Sequence, residues 1–460
     1  MPDKAPATDT LTLLRAGKLA GARQLHITGG LIEFPREILS LADTLEILDL
    51  SGNALTELPE DFDRLHRLKI LFLSFNAFDH IPDVLGRCPA LTMLGMKANA
   101  IERVSGASLA PALQWLTLTD NRIAALPEEI GRCSGLRKLL LAGNRLTALP
   151  DTLAQCQKIE LMRLSANRFE ALPPWLLDLP RLTWLAVAGN PVFAEEEAAG
   201  RANDVPVHAD WDHLTVQEKL GEGASGVIYR GAWAPASSAA PQPVALKLFK
   251  GAVTSDGLPQ NEMAACIAGS GHASLIPVHA RIDNHPDDAQ GLVMALIDPD
   301  LRNLADPPSF DSCTRDVYAP GQRLTLAAAL RVARGIADAA RHLHARGIMH
   351  GDLYAHNIMY ADDGRAYLGD FGAASFYATT EEAYERIEVR AFGLLLEELL
   401  ALAREERDAA PVAFAALDGL QGQCINEDRD RRPAFAEIVA ELDDVVTSIG
   451  RRPAVAKPSP

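Results

Sequence analysis

The sequence lacks any apolar run long enough to cross a bilayer, and around Lys4, Arg15 and Lys18 it has no continuous apolar core of the kind a secretory leader carries. It is short of positive charge. Its 44 Lys and Arg stand against 61 Asp and Glu, and the net charge of −17 argues against non-specific adhesion to nucleic acid or an anionic membrane. Cysteines are few, six in 460 residues, and no two form a C-x-x-C pair, so zinc and redox motifs find no support. The expectation is a soluble, cytoplasmic protein. A composition of 48% hydrophobic and 23% charged residues is ordinary for globular chains, and the length leaves room for two or three cores.

What is present in the first half is repetition. Leu45, Leu68, Leu91, Leu113, Leu136, Ile159 and Leu182 recur at intervals of 22 or 23 residues, each opening the frame L-x-x-L-x-L-x-x-N. Asn53, Asn76, Asn99, Asn121, Asn144, Asn167 and Asn190 form a complete column, and most copies continue to L-P, as at Leu58-Pro59. This is the leucine-rich-repeat signature, with a degenerate copy from Leu25 to Pro35 ahead of it. Each copy predicts one short strand whose apolar edge only the next copy can cover, so the copies stack into a solenoid of parallel strands. The asparagine amides are expected to satisfy turn backbone that no ladder reaches. Cys88, Cys133 and Cys156 share a slot that other repeats fill with Leu65, Ala110 or Leu179, so they read as small buried hydrophobes.

With the leucines pointing in, a period of two sends Ile47, Ile70, Met93, Trp115, Lys138, Leu161 and Trp184 outward on the concave face. The second outward column runs Asp49, Phe72, Gly95, Thr117, Leu140, Arg163 and Ala186. Ile47, Ile70, Phe72, Met93, Trp115, Leu140, Leu161 and Trp184 then form an apolar patch with aromatic anchors. A patch of this kind marks a protein-binding surface or one covered by the chain itself.

The second half carries four elements in order. Leu220 to Val227 reads L-G-E-G-A-S-G-V, with Gly221, Gly223 and Gly226; V-A-L-K ends at Lys247; H-G-D-L-Y-A-H-N holds His350, Asp352, His356 and Asn357; and Asp370-Phe371-Gly372 follows. Taken singly, the glycine run is a hairpin and each aspartate a solvated loop carboxylate. As an ordered set they resemble the phosphoryl-transfer machinery of eukaryotic-type protein kinases, over most of Trp211 to about Ile449.

That resemblance implies roles. The glycine loop, Ile228, Ala245, Lys247, Met294 and Leu296 would hold ATP, with Met294 as gatekeeper and Ala295 to Ile297 as hinge. Lys247 would pair with Glu262, Asp352 would take the acceptor hydroxyl's proton, and Asn357 and Asp370 would bind magnesium. His356 stands where many tyrosine kinases carry an arginine, and Tyr354 where serine/threonine kinases carry a lysine. Gly351 replaces the arginine that normally follows the histidine, Glu388 replaces an aspartate, the A-P-E element is absent, and Asp298 to Gly321 looks like a loop insertion. Control by activation-loop phosphorylation is therefore not expected.

The expected fold is an α/β leucine-rich-repeat solenoid followed by an α+β bilobal kinase-like domain. Its divisions are an N-terminal cap over 1–21, repeats over 22–192, a linker over 193–210, the catalytic domain over 211–449 and a disordered tail over 450–460. Three functions compete. They are an ATP- and Mg-dependent protein kinase, serine/threonine before tyrosine and of bacterial type; a nucleotide-binding pseudokinase scaffold; and a repeat protein in which the kinase fold is a regulated appendage.

Overall fold

The computed structural model describes residues 7–202, 207–223, 225–235, 240–250, 254 and 256–450. The tail expected beyond 450 and Asn203 and Pro206 of the expected linker lie outside the described residues. Contacts divide the chain into two units. One is Met1–Ala194 with Val253–Leu258, the other Glu195–Ala252 with Pro259–Pro460.

The first unit opens with α1 (Ala7–Arg15) and contains one parallel sheet of eight three-residue strands in sequence order. These are β1 (Gln24–His26), β2 (Ile47–Asp49), β3 (Ile70–Phe72), β4 (Met93–Gly95), β5 (Trp115–Thr117), β6 (Lys138–Leu140), β7 (Leu161–Arg163) and β8 (Trp184–Ala186). The register follows the repeat frame, so Leu48 faces Leu71 and Leu71 faces Leu94, all buried. Short 3-10 turns, such as Asp83–Arg87 and Glu128–Arg132, return the chain between strands.

The asparagine column does what its position demands. Asn76 donates from Nδ2 to the carbonyls of Leu50 at 2.9 Å and Leu73 at 3.0 Å, while its Oδ1 accepts the Leu55 N–H at 2.9 Å. One amide therefore ties three turns of backbone together.

The outward columns are less exposed than expected. Ile47, Phe72, Trp115 and Leu140 are half-buried, but Ile70, Met93, Leu161 and Trp184 are buried. Adjacent strands lie only about 4.8 Å apart, so outward side chains pack on one another. The Lys138 ammonium sits 4.1 Å from the Trp115 ring centre, and the Phe72 ring lies over Gly95. Buried Arg163 donates to Asp256 at 2.9 Å, which belongs to the same unit.

In the second unit a six-stranded sheet takes the order β10-β11-β12-β14-β13-β9. Its strands are β9 (His208–Asp210), β10 (Leu214–Glu222), β11 (Gly226–Trp233), β12 (Gln242–Phe249), β13 (Val278–Asp283) and β14 (Gly291–Ala295). Apolar residues on one face, including Val244, Leu246, Ala280, Ile282 and Val293, make its core. The helix α3 (Pro259–Gly269) follows β12 in the chain.

A helical body completes the unit. It contains α4 (Leu326–His344), α5 (Ala383–Leu402), α6 (Pro411–Cys424) and α7 (Phe435–Gly450), with a three-stranded sheet of β15 (Arg302–Asn303), β17 (Ile358–Tyr360) and β18 (Ala366–Leu368). The two-residue strands β16 (Ile348–Met349) and β19 (Ser375–Phe376) pair antiparallel. Thr325 caps α4 by accepting the Ala328 N–H, and Val332, Ala333, Ile336, Ala337 and Leu343 bury one face of it. The segment expected to link the halves is largely helical, α2 (Ala194–Ala202). Gly200 lies close against the Phe376 ring, and Arg201 donates to Asn261 at 3.3 Å.

Candidate active site

The hairpin of β10 and β11 brings the glycine run beside β12, with Gly221 opposite Ile228 and Ile228 opposite Lys247. Its glycines divide by purpose. A Cβ at Gly221 or Gly223 would meet nothing within 4 Å, whereas one at Gly226 would come within 2.5 Å of the Leu248 carbonyl oxygen. Gly226 is thus required by strand packing, and the other two leave open space above the hairpin.

Below the hairpin lies a cleft of about 630 Å³, counted to its open mouth. Ile228, Ala245, Lys247, Met294 and Asp370 line it. Its other walls include Cys266, Gly269, Leu275, Ile276, Leu368 and Phe371. Ala295 and Ile297 line it too, but Leu296 between them does not, because alternate residues of extended chain face opposite ways.

Lys247 forms a buried ion pair with Glu262, which α3 presents at 1% exposure. Burial opposes the ammonium charge, but the carboxylates of Glu262 and Asp370 outweigh it and hold Lys247 above its ordinary value. Cys266 lies one helical turn beyond Glu262 on the same face, so it reaches the cleft. Burial pushes its thiol up to about 12, which leaves it a neutral wall rather than a nucleophile.

The loop after β16 is built on buried His350. Its Nδ1 accepts the Asp352 N–H at 3.3 Å, so the ring proton is assigned to Nε2, which donates to the Gly369 carbonyl at 2.9 Å. That single ring joins the segment holding Asp352 to the one holding Asp370. The Asn357 Nδ2 donates to both the backbone carbonyl and the carboxylate of Asp352, each at 2.9 Å. Committing the nitrogen leaves Oδ1 as the atom that can face a cation. Asp370 has a left-handed backbone, φ 53°, and its Oδ1 accepts the Gly372 N–H at 3.2 Å.

Both halves of the sequence match known families. A family model for protein tyrosine and serine/threonine kinases matches residues 214–392, and a leucine-rich-repeat model matches residues 43–101, 111–169 and 134–192. The chain carries a leucine-rich-repeat array and a protein kinase domain. Human cyclin-dependent kinase 11A is 27% identical over 173 residues, covering 37% of this chain and 20% of that protein. A probable serine/threonine-protein kinase of Dictyostelium discoideum is 22% identical over 277 residues, covering 52% of this chain and 28% of the relative. The rat megakaryocyte-associated tyrosine-protein kinase is 25% identical over 281 residues, covering 52% of this chain and 55% of its own length. The chain thus spans between a fifth and about half of these relatives.

Within the kinase domain the departures acquire reasons. Glu388 accepts the Gly351 N–H at 2.7 Å and the His350 N–H at 3.1 Å, reaching the loop backbone from α5. His344 Nε2 lies 2.8 Å from Oε2, the oxygen that accepts the His350 N–H, off the axis of a hydrogen bond, an ion pair when the imidazole is protonated. Gly351 has φ 74°, a conformation an arginine would adopt only under strain. Tyr354 is buried at 5% exposure, so no cation stands at its position. Buried Arg432 donates to the carbonyls of Asn426 and Arg386.

One participant was missed from sequence. The segment expected to be a loop insertion pairs through β15 with β17 and sends Asp316 to His356. Burial would depress the imidazole, but Asp316, with Asp352 and Asp370 nearby, holds it above its ordinary value. Nothing in the local sequence C-T-R-D-V-Y, Cys313 to Tyr318, sets Asp316 apart, and distance along the chain hid its partner.

Among the described residues no helix is long and apolar enough to cross a membrane. No cluster of three or more His, Cys, Asp or Glu that could hold a metal occurs among them either.

Proposed function

We propose that the chain is an ATP-dependent protein kinase using magnesium, directed at serine or threonine before tyrosine. The observation that carries this reading is that Lys247, paired with Glu262, and Asp370 line one cleft, while the Asp352–Asn357 pair is tied to cleft-lining Gly369, whose N–H donates to the Asn357 carbonyl at 2.9 Å. Ile228, Ala245 and Met294 supply apolar walls for a base, and the Lys247 ammonium a fixed charge for phosphate oxygens. Asp370 and the Asn357 Oδ1 are two hard oxygen donors, the small protein contribution expected when phosphates and water complete magnesium's shell. Bound there, the cation would neutralise charge on the nucleotide phosphates. Asp352 takes the proton from the acceptor hydroxyl as its oxygen bonds to the γ-phosphorus and the bond to the β-phosphate oxygen breaks, leaving ADP.

A pseudokinase scaffold is favoured by one observation, the buried phenol of Tyr354 where a transferring kinase places a cation. Transfer of label from γ-labelled ATP by the full chain, beside an Asp370→Asn control, separates the two. Transfer abolished by the substitution supports the kinase. Nucleotide binding with no transfer in either protein establishes the scaffold.

The repeats support a role in binding a protein substrate or regulator, with half-buried Ile47, Phe72, Trp115 and Leu140 as its accessible anchors. A substrate held there would gain effective concentration at the kinase domain.

A further inference from the structure

The segment between β14 and α4 has no counterpart among the four kinase motifs, yet three of its residues reach inward. The Arg315 Nε donates to Glu398 Oε1 at 2.8 Å, and the Tyr318 hydroxyl donates to Glu398 Oε2 at 2.8 Å. Both therefore fasten the segment to α5. Between them, Asp316 points to the catalytic loop. Its Oδ2 accepts the His356 backbone N–H at 2.9 Å, and its Oδ1 lies 2.7 Å from His356 Nδ1. The Asp316 side chain has 0% exposure. A carboxylate is costly to bury, and here the bonds offsetting that cost both go to a single residue.

His356 sits in the 3-10 turn Ala355–Asn357, closed by the Asn357 N–H donating to the Tyr354 carbonyl at 3.2 Å. Its ring lies 4.9 Å from that of Tyr354. The next residue is Asn357, whose Nδ2 grips Asp352. A continuous path of bonds thus runs from Glu398 through the segment and His356 to the carboxylate at the acceptor position.

We propose that Asp316 is a positioning residue for phosphoryl transfer, fixing the turn that sets Asn357 against Asp352. The inference rests on the reading of Asp352 and Asn357 as transfer residues. Its mode is geometric. Asp316 touches neither nucleotide nor acceptor, and a second acceptor of the same shape should serve nearly as well.

The test uses the full chain with magnesium, γ-labelled ATP and casein as acceptor, comparing Asp316→Ala with Asp316→Asn. Losing placement of a reacting group by a fraction of an ångström costs rate rather than ground-state binding, so Asp316→Ala is expected to lower kcat roughly tenfold or more. KM for ATP should stay within about twofold, since the nucleotide contacts are intact. Asp316→Asn, whose Oδ1 still accepts the His356 N–H, should recover most of the rate. Amide hydrogen exchange gives a readout independent of activity. In Asp316→Ala the His356 and Asn357 amides should exchange faster, while those of the repeat strands do not. If the wild-type chain transfers no phosphate, the transfer reading fails, and selective exchange at His356 still establishes the brace. Unchanged exchange there overturns it, as does a loss of kcat matched by an equal rise in KM. An asparagine variant as slow as alanine would show that charge and not placement is the contribution, and would also overturn it.

Discussion

Glu388 Oε1 accepts the Gly351 N–H at 2.7 Å, so a buried carboxylate on α5 holds the backbone at the position where this family usually carries an arginine. Burial pushes the Glu388 carboxyl up, but His344, His350 and the Gly351 N–H outweigh it and hold the group below the usual carboxylate range. A folded pKa below the unfolded one stabilises the fold at neutral pH. That contribution starts to fall as pH drops below about 4.5, where the unfolded chain takes up a proton, and is gone once pH has passed below the folded value. Glu388→Gln should remove this part of the acid limb and cost about 2 kcal/mol at pH 7 through weakened bonds to His350 and Gly351. Urea melts of both proteins between pH 3 and 7 check it, and parallel curves would exclude the carboxylate's role.

Lys247→Ala and Asp370→Asn are both expected to abolish magnesium-dependent ATP binding or transfer. They should differ in stability. Lys247→Ala leaves Glu262 buried without its cation, which costs about 3–5 kcal/mol for a pair of this kind. Asp370 faces the cleft, so its variant should melt with the wild type. Calorimetry beside labelled-nucleotide binding reads both effects, and wild-type nucleotide affinity in both variants would remove the kinase reading.

Trp115 and Trp184 occupy the same outward column but should answer alanine substitution differently. Trp184 is 2% exposed, and truncating a buried ring of this size costs about 3–5 kcal/mol of fold stability. Trp115 is half-buried, with its Nε1 donating to Thr117 at 2.9 Å. Its truncation should weaken capture of a protein partner by about 2 kcal/mol, the scale of an interface anchor, and leave ATP affinity unchanged. Thermal melts and partner titrations of the two single variants separate these effects, and a Trp115→Ala protein that binds partner normally would move the surface elsewhere.

All six cysteines are buried, and none is in a disulfide. Burial pushes the Cys88, Cys266 and Cys424 thiols up to about 12 and Cys156 to about 11. Iodoacetamide at pH 8 should therefore label none of them in the folded chain and all six in urea, counted by mass. A native adduct at Cys266 would show that the cleft wall opens.

Much of this was legible before the structure. The repeat frame set strand positions and register, because a leucine every 22 or 23 residues has no other way to be buried than against its copies. The kinase motifs named Lys247, Glu262, Asp352, Asn357 and Asp370; Lys247 and Asp370 line the cleft, Glu262 pairs with Lys247, and Asn357 bonds Asp352. Local alternation, which motif position does not give, leaves Leu296 out of the cleft lining between Ala295 and Ile297.

The sequence by itself determined which elements form, through periods of two and 22 or 23 residues and through residue types that in that order mark a protein kinase domain. Tertiary structure alone decided which outward side chains remain accessible, that Glu388 anchors the Gly351 backbone, and that Asp316 reaches His356. The reason is range. Propensity and periodicity act over a few residues, whereas a buried charge is matched with whatever partner the fold brings within about 3 Å, here 40 positions away.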